Sequence, residues 1–492
     1  MDHAAVPPVE RLSLAPGLEI SRALVGLWQV ADIEKDGASI DPEIGADHLA
    51  AYAEAGFDTF DMADHYGSAE IIAGRLLNRH SAGRRPVAFT KWCPAPGPMT
   101  PAVVRAGVRE RLDRLGVERV DLLQFHWWAF EHPAWLDALH ELARLREEGL
   151  IGELGVTNFD AAHLHLALAD GVPLLTNQVS CSLIDRRATG ALAQLCGGSS
   201  ARLLCYGTLC GGFLSERWLG KPEPADIVDW SKMKYKRFID VAGGWDAYQG
   251  ILRAADGIAR KHGVSIANVA TRWVLDQPAV AGVIIGARLG ESEHTQDNRR
   301  LFGFRLDDED HARLADAFAA TAPIPGDCGD EYRKPPLLTA SGDLSHHLES
   351  MPLAVTAQPA MHRPDMRNVC SGSEWETIAG YCRAHRVANR ILVSGTTATA
   401  GADRVVAPDD AGAQTTFILD KILAALAALG AGAKDVVRTR IYLTNPEDAL
   451  AVSHAHGRVF ASVKPTNTLV AVAGLIGNYR VEIEAEAMLP DR

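Results

Sequence analysis

Residues 87–116 read "VAFTKWCPAPGPMTPAVVRAGVRERLDRLG". The opening "VAFTKWC" (87–93) is an apolar run that predicts a buried strand. The run from Thr100 predicts an amphipathic helix, with Pro101 where a first helical turn accepts it. The same order recurs on both sides. "ALVGLW" (23–28) precedes "DHLAAYAEAG", "TFDMA" (59–63) precedes "AEIIAGRLLNRH", "VDLLQFHWW" (120–128) precedes "AWLDALHELARLREEG", and "GELGVTN" (152–158) precedes "AAHLHLALADG". "LLTNQVS" (174–180), "RLLCYGTL" (202–209) and "GVIIGAR" (282–288) are each followed by a helical segment. Eight such units by residue 321 predict an α/β fold, a closed (β/α)8 TIM barrel rather than an open sheet.

The whole chain has 492 residues, 47% hydrophobic and 23% charged, which leaves room for a second domain beyond the barrel. Its net charge of −13 argues against a nucleic-acid binder, which needs a basic face. A local basic pocket for a phosphate remains compatible with that charge. The eight cysteines show no CxxC pair and no metal-ligand spacing, so reduced thiols and no metal site are expected. The N-terminus "MDHAAVPPVERL" has no apolar signal core and no run is long enough for a membrane span. A soluble, cytoplasmic protein is expected.

After the eighth unit the composition changes. Residues 322–364 are rich in Pro, Gly and polar residues and read as a barrel tail and linker. The expected division is a barrel over 1–340, a linker over 341–368 and a second domain over 369–492. In that domain "YCRAHRVANRILVSGTTAT" reads as a hairpin turning at "AN", followed by a long helix from Ala411 to Leu429. "VVRTRIYLT", the helix "PEDALAVSHAHGRVF", and the strands "NTLVAVAGL" and "YRVEIEAEAML" complete a ββαβαββ order. That order predicts a small α+β domain with helices on one face of a sheet.

The chemistry starts from an anomaly. Asp61 lies inside the apolar run "GFDTFD", where an unpaired carboxylate costs several kcal/mol or more. Lys91 and His126 occupy the ends of the next two strands, on the faces of Val87 and Phe89 and of Leu122 and Gln124. Tyr66 follows the second strand in a loop at the same mouth. A tyrosine donates protons poorly near neutral pH, but a nearby ammonium favours its phenolate. Lys91 would serve as that ammonium, Asp61 would hold it, and His126 would hydrogen-bond a substrate oxygen. Singly, a strand-end His or Tyr is ordinary packing; four converging groups make a site for protonating a carbonyl oxygen as hydride reaches its carbon.

"FDMADHYGSAE", "FTKW", "LLQFHWW", "GVTNF" and "TNQVS", in this order over about residues 10–340, resemble the aldo-keto reductase superfamily. The resemblance implies reversible reduction of an aldehyde or ketone with a nicotinamide cofactor. Its catalytic tetrad falls on Asp61, Tyr66, Lys91 and His126, with Tyr66 as general acid. Thr157, Asn158 and Gln178 fall on positions that hold the nicotinamide carboxamide, Tyr206 on the aromatic that stacks on the ring, and Gly207 and Leu209 on the pyrophosphate loop. "GARLGESEHTQDN" resembles the adenosine segment, where Arg288 would pair with a 2′-phosphate and Asp297 and Asn298 would contact the adenine end. NADPH is therefore expected ahead of NADH. Trp28, Trp127, Trp128 and Trp218, with Trp230, Tyr235 and Phe238 of the long segment 210–242, would line a pocket for a flat or apolar carbonyl.

"GYCRAHRVANRILVSGTTAT", "LAALGAGAKDVVRTRIYLT" and "VEIEAEAM" resemble the Rid (reactive intermediate deaminase, YjgF-like) family. That resemblance implies a trimer, or a multiple of three, with ligand clefts between subunits, and hydrolysis of enamines or imines in the deaminating members. The chain departs from those members at Asn467, which stands where they carry a carboxylate-gripping arginine. Glu482 matches their water-positioning acid. The combined expectation is a carbonyl reductase whose second domain trimerises it and binds or hydrolyses an imine. Two other readings stand beside it: a redox-sensing NADPH-binding regulator, and an imine deaminase with an accessory barrel.

Overall fold

The computed structural model describes residues 7–30, 40–79, 84–290, 294–333 and 352–490. The chain opens on an antiparallel hairpin, β1 (Arg11–Ala15) and β2 (Leu18–Ser21). Eight parallel strands follow: β3 (Ala23–Gly26), β4 (Thr59–Asp61), β5 (Val87–Trp92), β6 (Val120–His126), β7 (Ile151–Thr157), β8 (Leu174–Ser180), β9 (Arg202–Tyr206) and β10 (Val280–Gly286). Each pairs with the next, and β10 pairs back onto β3, so the barrel is closed. Around it run α1 (Pro42–Glu54), α2 (Ala69–Arg79), α3 (Pro101–Leu115), α4 (Ala134–Glu147), α5 (Ala161–Ala169), α6 (Ala191–Gly197), α7 (Trp230–Val241), α8 (Gly244–His262), α9 (Ile266–Leu275), α10 (Thr295–Arg300) and α11 (Asp308–Ala319).

The stretch 87–116 shows how sequence makes each unit. All six residues of β5 are buried, as expected for a parallel strand covered on both faces. Val87 and Phe89 fill the barrel interior with Leu122, Leu204 and Ile284, while Ala88 and Trp92 pack outward under the helices. Thr100 caps α3 by accepting from Val103 N, Pro101 takes its first turn, and Gly116 ends it at φ 62°. Leu18 and Ile20 of the hairpin pack into the interior cluster and plug the N-terminal end of the barrel. The opposite, C-terminal end stays open.

The second domain has β11 (Ala357–Ala360), β12 (Arg363–Val369), α12 (Glu374–Ala379), β13 (Ala384–Val387), β14 (Arg390–Thr397), β15 (Thr399–Ala400), β16 (Arg404–Val405), α13 (Ala411–Ala428), β17 (Val436–Leu443), α14 (Ala449–Phe460), β18 (Thr466–Ala471) and β19 (Val481–Met488). Its main sheet runs β11-β12-β13-β14-β19-β17-β18. The hairpin predicted at "AN" forms, with Ala388 at φ 53°. Strand β11 and all but the last residue of β12 fall inside the stretch read as linker. They are largely exposed and rich in Arg, Pro and Asp, so they carry no apolar period to read. The linker residues 341–351 lie outside the described residues. Helix α13 is buried almost all round because it packs on β14 and β19 on one side and on α5 of the barrel on the other. No described helix is long and apolar enough to cross a membrane. All eight cysteines are unpaired.

Candidate active site

Asp61, Lys91 and His126 point inward at the open end of the barrel, at the tips of β4, β5 and β6. Lys91 Nζ lies 2.7 Å from Asp61 Oδ2 and donates to Met62 O at 2.9 Å. Asp61 Oδ1 accepts from Gln178 Nε2 at 2.7 Å and from Gln124 Nε2 at 3.1 Å, and the two amides bond each other at 3.0 Å. Asp61 and Lys91 are each only 3% exposed. The carboxylate is tolerated in its strand because an ammonium and two amides take up its oxygens.

Tyr66 sits in the loop after β4, with Lys91 Nζ 5.0 Å from its ring centroid. Trp28 and His65 meet that ring edge-on at 4.9 and 4.8 Å. The loop is tied down on both sides. Asp64 accepts from Cys93 N at 2.7 Å and pairs with His65 Nδ1 at 2.8 Å. Glu70, fully buried, accepts from Thr90 Oγ1 at 2.6 Å and from Arg111 and Arg114 of α3. Arg114 also donates to Gly67 O. The loop bearing Tyr66 is thus held to β5 and α3 by charge-assisted bonds.

His126 Nδ1 faces Thr157 O at 3.3 Å, which places the proton on Nδ1. Burial, reinforced by the charge of Arg333, holds the imidazole pKa well below its ordinary value, so the ring is neutral near pH 7. Its Nε2 is buried, has no hydrogen-bond partner among the described residues, and can only accept. A neutral acceptor at this position suits a hydroxyl group.

Trp28, Asp61, Tyr66, Lys91, His126 and Gln178 line one cavity of about 580 Å³. Its described lining carries Lys91, Arg217, Lys232, Lys234 and Arg288 but a single carboxylate, Asp61. That balance favours an anionic ligand, even though the whole chain is acidic. Thr157 Oγ1 is a second buried polar atom here without a partner among the described residues. Gly207 takes φ 72°, and a Cβ there would collide with the Tyr235 hydroxyl. Orphaned polar atoms, a narrow glycine passage and excess positive charge together fit a dinucleotide.

A sequence-family profile described as "Aldo/keto reductase family" matches residues 24–318, more than half of the chain. The chain belongs to the aldo/keto reductase family. Aldo-keto reductase YhdN from Bacillus subtilis (strain 168) is 26% identical over 339 residues, covering 65% of this chain and 96% of the relative. The solved glycerol dehydrogenase AKR11B4 from Gluconobacter oxydans is 26% identical with a TM-score of 0.52, covering 66% of this chain and 98% of that one. Residues 371–489 match a second profile, "Endoribonuclease L-PSP", and form the Rid-type domain. An uncharacterized protein of Streptomyces coelicolor is 39% identical over 123 residues, 25% of this chain and 91% of the relative.

In the aldo/keto reductase barrel, most of the residues singled out from sequence line the cavity. Gln178 spends its amide nitrogen on Asp61 and Gln124, which leaves its carbonyl oxygen for a ligand. Asn158, at φ 58°, accepts from Tyr206 Oη at 2.8 Å and keeps its amide nitrogen as a donor. Thr157, Tyr206, Gly207 and Leu209 are all on the wall. Arg288, about half exposed, sits at the rim with Nε bonded to Gln29 at 3.3 Å. Asp297 and Asn298 are on α10 outside the lining, and Asp297 accepts from Ser265 Oγ at 2.9 Å.

The aromatic residues divide. Trp28, Trp128, Trp218 and Tyr235 line the cavity, with Trp128 edge-on to His126 at 4.3 Å. Trp127 does not. It is fully buried behind β6, stacked on Phe125, with its indole N–H on Ala129 O and His132 O. The reason is the two-residue period: with His126 facing in, its neighbour must face out. Phe238 is likewise buried behind Tyr235. The side chain of Trp230 lies outside the described residues.

Sequence reasoning missed the contribution of the barrel tail. Tyr332 reaches the cavity, its hydroxyl 3.3 Å from that of Tyr206 and bonded to Lys234. Arg333 donates to Trp127 O at 2.8 and 3.0 Å and to Asn158 O at 2.5 Å, tying the loops after β6 and β7 together. "DEYRK" (330–334) inside a Pro- and Gly-rich stretch reads as barrel tail with no role in the site; its adjacent acidic, aromatic and basic residues were the available signal.

In the Rid-type domain, Asn467 Oδ1 accepts from Thr439 Oγ1 at 3.3 Å on the helix-covered side of the sheet. Glu482 stands opposite Tyr442 on the other side. Burial, followed by the charge of Glu484, raises the Glu482 pKa. Within one chain the two therefore lie on opposite faces of the sheet and do not share a cleft.

Proposed function

We propose that the barrel carries out reversible, NADPH-dependent reduction of an aldehyde or ketone with Tyr66 as general acid. The observation that carries this reading is the buried Lys91 ammonium, locked by Asp61 and 5.0 Å from the Tyr66 ring, at the wall of a cation-lined cavity. The nicotinamide cofactor, when bound, supplies hydride to the carbonyl carbon. Tyr66 gives its phenolic proton to the carbonyl oxygen, and Lys91 stabilises the phenolate left behind. Asp61 holds Lys91 in place. His126 Nε2 then accepts a hydrogen bond from the new hydroxyl; in the oxidative direction it orients the alcohol toward Tyr66.

Thr157, Asn158 and Gln178 would hold the carboxamide, Tyr206 would stack on the ring, and Gly207 and Leu209 would flank the pyrophosphate. Arg288 would pair with the 2′-phosphate. Trp28, Trp128 and Trp218 favour a flat or apolar carbonyl. The Rid-type domain assembles the chain into a trimer or a multiple of three in this proposal. Imine hydrolysis is left out of it, because Asn467 stands where the deaminating members carry a carboxylate-gripping arginine, and an amide cannot replace that bidentate pair. Light scattering on the full chain tests the assembly, and a monomer would refute it.

The direct test of the chemistry is Tyr66→Phe. NADPH affinity, followed by nucleotide fluorescence, should hold while turnover of an aldehyde panel falls by about 10² or more. Turnover near that of the unaltered protein would rule out the assignment.

A further inference from the structure

The Rid-type domain does not merely hang on the barrel. Asp420 of α13 is buried and lies 3.0 Å from His163 Nε2 on α5. His163 Nδ1 pairs with Asp160 Oδ2 at 2.7 Å, and Asp160 Oδ1 caps α5 by accepting from His163 N at 2.9 Å. Arg458 of α14 approaches the same Asp160 oxygen at 3.8 Å. The charges of Asp160, Asp420, Asp327 and Asp330 all act on that guanidinium. Asp160 is two residues beyond Asn158, and Asp330 is two residues before Tyr332.

The His163 ring stacks on Phe130 at 3.5 Å with an interplanar angle of 8°, and Arg333 covers Phe130 at 4.3 Å. Arg333 is the residue that grips Asn158 O and Trp127 O. Asn158 is held at φ 58°, in the left-handed region that asparagine adopts more readily than other non-glycine residues, and its surroundings fix it there. The surroundings here are Arg333, Gly329, where a Cβ would collide with Asn158 O, and the α5 cap at Asp160. Both lines of support, the cap and the tail, receive charge from the second domain.

We propose that Asp420 and Arg458 of the Rid-type domain are positioning residues for the barrel's cofactor site, acting through Asp160, His163 and Arg333 on Asn158. This rests on the reductase reading above. Arg404 supplies a control, because it joins the same two domains at the far end of α5 through Asp170 at 2.6 Å.

The test uses the full chain with Arg458→Ala, Asp420→Asn, Arg458→Lys and Arg404→Ala. NADPH dissociation constants come from nucleotide fluorescence; KM and kcat come from an aldehyde assay. Arg458→Ala and Asp420→Asn should each raise the NADPH Kd and KM about fivefold or more, the low end of coupling between sites. Their kcat at saturating NADPH should stay within about twofold of the unaltered protein, Arg458→Lys should recover the affinity, and Arg404→Ala should leave it alone. Unchanged NADPH affinity in both Arg458→Ala and Asp420→Asn overturns the inference. So does an equal loss in Arg404→Ala, which would mean general loosening of the junction. A chain that binds no NADPH before substitution overturns the reductase reading instead.

Discussion

Replacing Lys91 with Met tests the centre of the site through stability and activity at once. The pair it breaks is 2.7 Å long and 3% exposed on both sides. At that separation and an effective dielectric of about 20, the direct attraction is about 6 kcal/mol. Most of this offsets the cost of drying two charges, so the net worth of the pair is small. Losing one partner is different. Asp61 would stay buried with only the Gln124 and Gln178 amides on one of its oxygens. Breaking a buried pair in this way costs about 3–5 kcal/mol. At about 1.4 °C per kcal/mol for a domain of about 330 residues, the barrel transition should fall by about 4–7 °C. Pairing Lys91→Met with Asp61→Asn removes both charges at nearly constant volume and should recover most of that loss. Turnover should remain abolished in both variants, because neither keeps an ammonium beside Tyr66. Differential scanning calorimetry and an aldehyde assay on the two variants separate these effects. A double variant no more stable than Lys91→Met, or one that regains turnover, would refute the reasoning.

Arg288→Ala should raise the KM for NADPH about tenfold or more and leave that for NADH unchanged, as expected for losing a charged bond to a phosphate; equal effects on both nucleotides would remove Arg288 from the 2′-phosphate. Trp127→Ala should cost about 3–5 kcal/mol in stability with the carbonyl KM unmoved, whereas Trp128→Ala should raise the carbonyl KM; a shifted carbonyl KM in Trp127→Ala would contradict its burial. The domain junction should weaken as pH rises. Burial opposes charge on His163, but Asp160 and Asp420 outweigh it and raise the pKa, with Arg458 and, across Phe130, Arg333 as the other charged groups nearby. Its contribution is complete below the ordinary histidine value of about 6.5 and is lost as pH climbs through the raised one. Thermal stability between about pH 6 and 9 should therefore fall more steeply in the unaltered chain than in His163→Gln, and parallel profiles would refute this.

The barrel was legible because each of its units carries two signals, an apolar run and a helical period. The four residues of the proposed site were legible because strand ends at one mouth are countable: Asp61, Lys91 and His126 lie at the ends of consecutive strands, each two residues further along the register than the one before. The same counting places Trp127 in the core, since it follows His126. A family resemblance that lists nearby aromatics does not make that distinction. Gln124 was visible only as the inward neighbour of His126. Its role as a donor to Asp61 depends on a distance between β4 and β6 that no local pattern encodes.

The segment 327–333 was illegible for a different reason. Its residues make no regular period, and their bonds run to Asn158, Trp127 and Arg187, between 140 and 206 positions away. Composition marks such a stretch as connection, yet here it closes the cavity with Tyr332 and braces it with Arg333. The junction with the second domain has the same character. His163 and Asp420 are 257 residues apart, and neither stands in a motif. A histidine in the apolar helix "AAHLHLALADG" would be costly alone, just as Asp61 would be in β4. In both places the residue that breaks the apolar pattern marks where a distant group must arrive: Lys91 for Asp61, and Asp420 for His163. Polar residues inside apolar elements were therefore the part of the sequence that carried information about tertiary partners, even where it could not name them.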